Sequence, residues 1–240
     1  MPYRSMTLED FARHVGLRTD EVRRLADRGK LPGHKVGGQW RFNRAQVTEW
    51  LQQEIPTYAQ DRLVEIEQAM GRTDGEVPDE TSLIVTDLIG LEGIEVLLPA
   101  NTKASVLREL VKLAERTGLL YDADGLHEAI VQREELCSTA LPNKVAIPHP
   151  RQPMPYVSAE PLICAARSPR GIPFGSSYGG LTTLFFLICC HDDRHHLRVL
   201  ARLMRILEGG MVEALTAVET REEFLQAMID KETLVVAQAK

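Results

Sequence analysis

The segment Val145-Ala146-Ile147-Pro148-His149-Pro150-Arg151 sets one imidazole between two prolines, directly after a short apolar run. Such a run reads as a buried strand, which proline ends by removing a backbone donor. Pro150 pushes His149 itself toward extended geometry. The histidine is therefore expected at the rim of a sheet, on a stiff backbone, where a neutral imidazole is a nucleophile near pH 7. By itself the motif describes an ordinary surface loop histidine equally well. Its surroundings carry further chemistry. Arg133 has the fork geometry for a charge-assisted contact to an anion, or it pairs with Glu134 or Glu135. Ser138 and Thr139 offer hydroxyl donors, or serve as turn residues. His196 is a second imidazole, or else a histidine half-buried at a helix start. The run from His191 to His196 has metal-ligand residue types, but neighbours on one loop cannot all converge and no matching Cys/His pair occurs elsewhere. Neither a metal nor a cofactor is expected.

Elements that would position these groups follow from periodicity and capping. A helix over residues 82–89 and a strand over 94–98 open the region. A helix over 103–115 carries Val106, Leu107, Leu110, Val111 and Ala114 at helical spacing and is closed by Gly118; another runs over 124–135. Strands follow around Val145, at 161–167 and at 181–190. Residues 195–207 form an amphipathic helix, and Thr220-Arg221-Glu222-Glu223 is a capping box for a last one. Helices mixed with strands in this order predict an α/β domain, a mixed sheet flanked by helices, over residues 83–240.

Charge divides the chain. Its 240 residues carry 28 Lys and Arg against 34 Asp and Glu. The first 51 are nonetheless net basic by about four charges, and the next 50 are strongly acidic. In the basic segment Thr7 caps a helix with Leu8, Phe11, Ala12 and Val15 on one face. Gly16 turns the chain, Thr19 caps a second helix with Val22 and Leu25 inward, and Gly29 ends it. Residues 34–42 read as a hairpin about Gly37-Gly38, and Asn43 caps a third helix. Residues 1–53 are thus a small α+β domain. Residues 54–82 hold one helix, near 60–70, and an unpatterned acidic linker over 73–80. That helix either pairs with its copy in a homodimer or packs on its own domain.

Gly29-Lys30-Leu31-Pro32 and Lys35-Val36-Gly37-Gly38-Gln39-Trp40-Arg41-Phe42 give residues 5–53 a resemblance to excisionase-like, MerR-like winged helix-turn-helix domains. The resemblance implies duplex DNA as a partner, with the second helix in the major groove and the wing on phosphate or the minor groove. Arg18, Thr19, Arg23, Arg24, Lys35, Gln39 and Arg41 would be the contacts. Asp20 and Glu21 would repel phosphate if they faced it.

Residues 83–235 resemble the fructose/mannitol/nitrogen-regulatory class of enzyme IIA domains of the phosphoenolpyruvate-dependent phosphotransferase system. The match rests on Arg133-Glu134, Ser138-Thr139, Leu141, Val145-Ala146-Ile147-Pro148-His149 and the later His196. The sequence departs from the pattern at Pro142 and Pro150, where small residues are usual. The resemblance implies a phosphohistidine at His149, with Arg133, His196, Ser138 and Thr139 around the phosphoryl group. It implies the histidine phosphocarrier protein as donor. Three functions stay open: a transcription regulator whose DNA affinity follows phosphorylation, a phosphocarrier serving a IIB transport component, and a regulator acting by protein contact without phosphorylation. The phosphoryl readings need the imidazole at the sheet edge beside a guanidinium. A ring sealed in the interior, or turned away from both Arg133 and His196, would end them.

No apolar run approaches the roughly 18 residues that span a bilayer, and Met1 to Met6 lack an apolar signal core. Cys137, Cys164, Cys189 and Cys190 have no paired spacing, which suits free thiols in a reducing compartment. A cytoplasmic protein without membrane insertion is expected.

Overall fold

The computed structural model describes residues 5–71, 82–175 and 179–238. The chain divides into two units. One comprises Met1–Glu80 with Leu197–Met204, the other Thr81–His196 with Arg205–Lys240.

In the first unit, strands β1 (Ser5–Met6), β2 (Gly33–Val36) and β3 (Gln39–Asn43) form an antiparallel sheet in the order β1-β3-β2. The β2–β3 hairpin turns at Gly37 and Gly38, both with positive φ (57° and 80°), the geometry a two-residue hairpin needs. Helix α1 (Leu8–Val15) starts at a full capping box between Thr7 and Asp10 and ends at Gly16 in the left-handed region. Helix α2 (Thr19–Asp27) departs from expectation. Its N-cap is Arg18, without a side-chain cap bond, and Thr19 is already helical. Helix α3 (Arg44–Glu54) is capped by Asn43 as expected. Phe11, Val15, Val22, Phe42, Val47 and Leu51 bury fully between helices and sheet, with the rings of Phe11 and Phe42 4.7 Å apart.

Helix α4 (Gln60–Gly71) buries its apolar face within its own unit, the second of the two alternatives, and a homodimer is unsupported. Leu63, Ile66 and Ala69 are buried, and Arg62 donates to the carbonyls of Val15 and Gly16 at the end of α1. Glu67, also on α4, ion-pairs with Arg202, which belongs to the same unit. The acidic linker read over 73–80 lies outside the described residues.

The second unit is built on a four-stranded mixed sheet in the order β4-β6-β7-β5, from β4 (Ile94–Glu95), β5 (Val145–Ala146), β6 (Leu162–Ile172) and β7 (Thr182–Cys189). The central pair is antiparallel, and each edge strand runs parallel to its neighbour. Leu162, Cys164, Ala166, Phe185, Leu187 and Cys189 pack against α5 (Lys103–Arg116) and α6 (Ala123–Leu136). The alternate residues, Phe186 among them, face α8 (Met211–Ala217) and α9 (Arg221–Ala237), where Phe186 meets Phe224. Both faces are covered, so β6 and β7 read as continuous apolar runs rather than alternating ones. α7 (Asp193–Ile206) follows β7, and its first turn, through His196, belongs to this unit.

Several expectations are corrected. The helix expected over 82–89 is only a 3-10 turn, Thr86–Leu88. The Glu232 carboxylate of α9, fully buried, accepts from the Val85 and Thr86 backbone N–H groups and from the Thr86 hydroxyl, which fixes that segment by tertiary contact. The 94–98 strand shrinks to two residues, β6 runs five residues beyond Arg167, and α8 has no counterpart in the sequence reading. No described helix is long and apolar enough to cross a membrane.

Candidate functional site

Strand β5 lies at the edge of the sheet, and His149 follows it after Ile147 and Pro148. Pro148 offers no N–H, but its carbonyl accepts from Ile188 of β7 at 3.0 Å, so the segment stays registered on the sheet beyond the last strand residue. Ile147 donates to the Thr139 carbonyl at 3.2 Å. The Ile147 carbonyl faces His149 Nδ1 at 2.7 Å. A carbonyl only accepts, so Nδ1 carries the proton and Nε2 of the neutral ring keeps its lone pair.

The expectation of a rim histidine holds for the backbone and fails for the side chain. The ring of His149 is 3 % exposed and that of His196 5 %. The two centroids are 4.9 Å apart with the planes inclined by 42°. Both Nε2 atoms are buried without a hydrogen-bond partner among the described residues. Arg133, 6 % exposed, is close enough to act electrostatically on both rings. Burial, then the His196 ring, then Arg133 hold His149 well below the usual imidazole pKa, against the opposing hydrogen bond to Ile147. Burial, then His195 and Arg133 bring His196 down to about 4, with Asp192 opposing. Both rings are therefore neutral at pH 7. The site is sealed against solvent, yet its two imidazoles face one another beside a guanidinium.

Arg133 Nη1 donates to the Cys137 carbonyl at 2.8 Å, which anchors one edge of the fork. It does not pair with Glu134, whose carboxylate instead takes Lys103 Nζ at 3.1 Å, the Thr139 N–H at 3.1 Å and the Thr139 hydroxyl at 2.7 Å. The Ser138 hydroxyl donates to the Phe174 carbonyl at 3.2 Å. Both hydroxyl protons expected near the imidazole thus point elsewhere. A cavity of about 540 Å³ lies alongside, lined by Gln132, Arg133, Leu136, Pro150, Arg151 and Met154. Lys103 and Glu134 are the residues that reasoning from sequence missed as a pair. In the run ahead of His196, His191 Nε2 meets Ser158 Oγ at 3.1 Å and Asp192 accepts from the His195 N–H, so both serve the local fold.

In the first unit a groove of about 440 Å³ is lined by Arg23, Asp27, Lys35, Gln39, Trp40 and Arg41. It brings the second helix and the wing together, as expected for four of the seven candidates. Arg23 and Arg24 are exposed on α2, and Thr19 lies in its first turn. Arg18, 82 % exposed, lines no part of this groove and makes a fork to both oxygens of Asp20, at 3.1 and 3.0 Å. Arg41 donates to Gln39 Oε1, and Lys35 Nζ sits 3.2 Å from Asp27, which also accepts from Trp40 Nε1.

A mixed sheet with helices on both faces and an edge-strand Pro-His paired to a second histidine defines an enzyme IIA fold, carried here with a helix-turn-helix domain. The chain belongs to the family described as phosphoenolpyruvate-dependent sugar phosphotransferase system, EIIA 2, which it matches over residues 87–231; residues 5–54 match the helix-turn-helix domain family. It is 37 % identical over 127 residues to the nitrogen regulatory protein of Bradyrhizobium diazoefficiens, across 51 % of this chain and 79 % of that one. The crystal structure of nitrogen regulatory protein IIA-Ntr from Neisseria meningitidis superposes with a TM-score of 0.55 at 25 % identity, covering 61 % of this chain and 99 % of that one. The IIA of the Escherichia coli mannitol IIA–phosphorylated IIB complex shares the fold, with a TM-score of 0.51 at 21 % identity over 59 % of this chain and 97 % of that one.

Proposed function

We propose that the protein is a DNA-binding regulator whose IIA domain accepts a phosphoryl group on Nε2 of His149. The observation that carries this reading is the lone pair at Nε2, set by the Nδ1–H bond to Ile147 and left without a partner beside His196 and Arg133. Two buried ring nitrogens without a hydrogen-bond partner among the described residues cost free energy, which a site that opens to receive a ligand explains. The N–P bond of the donor's phosphohistidine breaks as the bond to His149 Nε2 forms, and the donor imidazole leaves with the electron pair. Arg133 meets the charge on the equatorial oxygens, and His196, through the N–H of its neutral ring, meets another. The histidine phosphocarrier protein is the donor.

Acceptance requires the His149–His196 pair to open, and phosphate on the ring would resist reclosure through about −1.5 to −2 units of new charge. Arg23, Lys35, Gln39 and Arg41 around the 440 Å³ groove supply the DNA contact, with Thr19 and Arg24 on α2 beside it. The deciding experiment incubates the full chain with the phosphoenolpyruvate-driven relay, maps acid-labile phosphate, and measures operator affinity with and without it. Label on His149 and a shifted affinity, both lost in His149→Ala, are expected. Equal affinity of the phosphorylated and His149→Ala forms would remove the coupling.

One observation favours a second reading. The mannitol relative is named as a complex with a phosphorylated IIB, so onward transfer to a IIB component is the alternative, and labelled IIB after mixing would support it. The burial of His149 favours the third, regulation by contact without phosphorylation; stable labelling of His149 by the relay would argue against that one.

A further inference from the structure

Lys103 is the first residue of α5, where the helix dipole opposes a cation, and Glu134 lies in the last turn of α6, where it opposes an anion. Local helix electrostatics favour neither placement, so the contact between them holds both. The Glu134 side chain is 2 % exposed, and Lys103 Nζ at 3.1 Å is its ion-pair partner. Phe174 covers the ammonium, its ring centroid 5.3 Å away. The buried carboxylate then spends its remaining acceptor capacity on Thr139, taking both the backbone N–H and the hydroxyl.

Thr139 is the point where this cluster meets the histidine segment. Its carbonyl accepts from the Ile147 N–H, and the Ile147 carbonyl accepts from His149 Nδ1. The neighbouring bridge between Ala140 and Ala146, with Leu141 N–H on the Val145 carbonyl at 2.7 Å, makes the same link a strand pairing. Pro148 and Pro150 have no N–H groups, so the segment holding His149 has few other backbone donors to fix it. The connection from Lys103 to Nδ1 is continuous through Glu134, Thr139 and Ile147.

We propose that Glu134, charge-balanced by Lys103, is a positioning residue that sets the tautomer of His149 by holding the Thr139–Ile147 pairing in place. It does not touch the phosphoryl group. It keeps the Ile147 carbonyl aimed at Nδ1, so that Nε2 stays unprotonated. The inference deepens the phosphoryl-acceptor reading and rests on it for its consequence, although the tautomer itself is measurable without it.

The test uses the full chain labelled with ¹⁵N-histidine, with His149 assigned by difference against His149→Gln. The tautomer is read from the ring nitrogen shifts, and acceptance from the single-turnover rate with the phosphoenolpyruvate relay. Glu134→Met keeps the side-chain length and removes every acceptor. Glu134→Gln keeps an oxygen for the Thr139 N–H and can donate to the Thr139 hydroxyl. The expected result is an Nε2–H population in the methionine variant with acceptance slowed about ten- to a hundredfold, as misplacing a reacting group does, and recovery of both in the glutamine variant. An unchanged tautomer in Glu134→Met overturns the proposal, whether or not the rate falls. A changed tautomer in a protein whose wild type takes no label keeps Glu134 as a positioning residue and ends the phosphoryl reading instead. If Glu134→Met does not fold, Thr139→Val, which removes only the hydroxyl donor, must move the tautomer in the same direction, and a failure to do so overturns it.

Discussion

The rings of His149 and His196 lie 4.9 Å apart in the second unit, both sealed from solvent and both with Nε2 unpartnered among the described residues. Burial is the largest reason each titrates below an exposed imidazole. A histidine depressed in the fold takes up its proton on unfolding, so unfolding becomes easier as pH falls. The stabilising contribution is complete above the unfolded value of about 6.5 and is lost through the folded one, which for His196 is about 4. Within that window each pH unit costs at most about 1.4 kcal/mol per histidine. The urea midpoint should therefore drop between pH 6.5 and 4.5, and His196→Asn should flatten that part of the curve. Parallel curves for wild type and variant would show that His196 does not carry the effect.

The same depression predicts how phosphoryl acceptance responds to acid. An exposed histidine loses most of its nucleophilic form between pH 7.5 and 5.5, because its pKa lies inside that range. His149 lies well below it. Single-turnover acceptance should change less than about threefold over those two units once the donor's own titration is divided out. A tenfold fall at pH 5.5 would mean that His149 titrates like an exposed imidazole, against the depression its burial causes.

Arg133 donates Nη1 to the Cys137 carbonyl, and in the proposed site the rest of its fork would meet the phosphoryl oxygens. Lysine can supply the charge but cannot hold that carbonyl and a phosphoryl oxygen together in one plane. Arg133→Lys should slow acceptance about a hundredfold, the scale seen when one preorganised donor is lost. The effect should fall on the transfer step and leave donor binding within a few-fold, as separate titration of rate against donor concentration would reveal.

Asp27 accepts from Trp40 Nε1 at 3.1 Å and pairs with Lys35 at 3.2 Å, fixing the wing against α2 while placing an anion in the groove. The Lys35 and Trp40 bonds hold its carboxyl below the ordinary carboxylate range. Asp27→Asn keeps an acceptor for Trp40 and releases the Lys35 charge. Binding to non-specific duplex should tighten several-fold at low salt, and the slope of log affinity against log salt should steepen by about one. An unchanged slope would place Lys35 outside the phosphate contacts.

Local signals explain what the sequence made legible. Thr7, Asn43 and Thr220 cap their helices because each bond spans two or three residues, and Gly37-Gly38 demands its own turn. Arg18 displaced Thr19 as the cap of α2 without any side-chain cap bond to announce it. The 82–89 segment reads as a helix, but its backbone donors at Val85 and Thr86 go to Glu232, 147 and 146 residues away. Distance in sequence likewise hid the Lys103–Glu134 pair, 31 residues apart. The family pattern placed His149, Arg133 and His196 together, but no local pattern reports how deeply a ring is covered. Hence its position was legible and its burial was not.

Gly16 offers a way to test how firmly α4 is joined to the helix-turn-helix core. It ends α1 at φ +70°, and a Cβ there would sit 3.0 Å from the Glu65 carbonyl oxygen and 3.1 Å from the Ala69 Cβ, both on α4. Gly29 ends the next helical segment at φ +68° with nothing within 4 Å of an added Cβ. Gly29→Ala should therefore cost only the left-handed backbone penalty, about 1 kcal/mol. Gly16→Ala carries that penalty and also forces α4 away, so it should cost about 2–3 kcal/mol. Amide exchange over residues 60–71 should quicken in Gly16→Ala and stay at the wild-type rate in Gly29→Ala. Equal exchange in the two variants would show that α4 is held by its other contacts, the Arg62 bonds to Val15 and Gly16 foremost, and not by the close approach at Gly16.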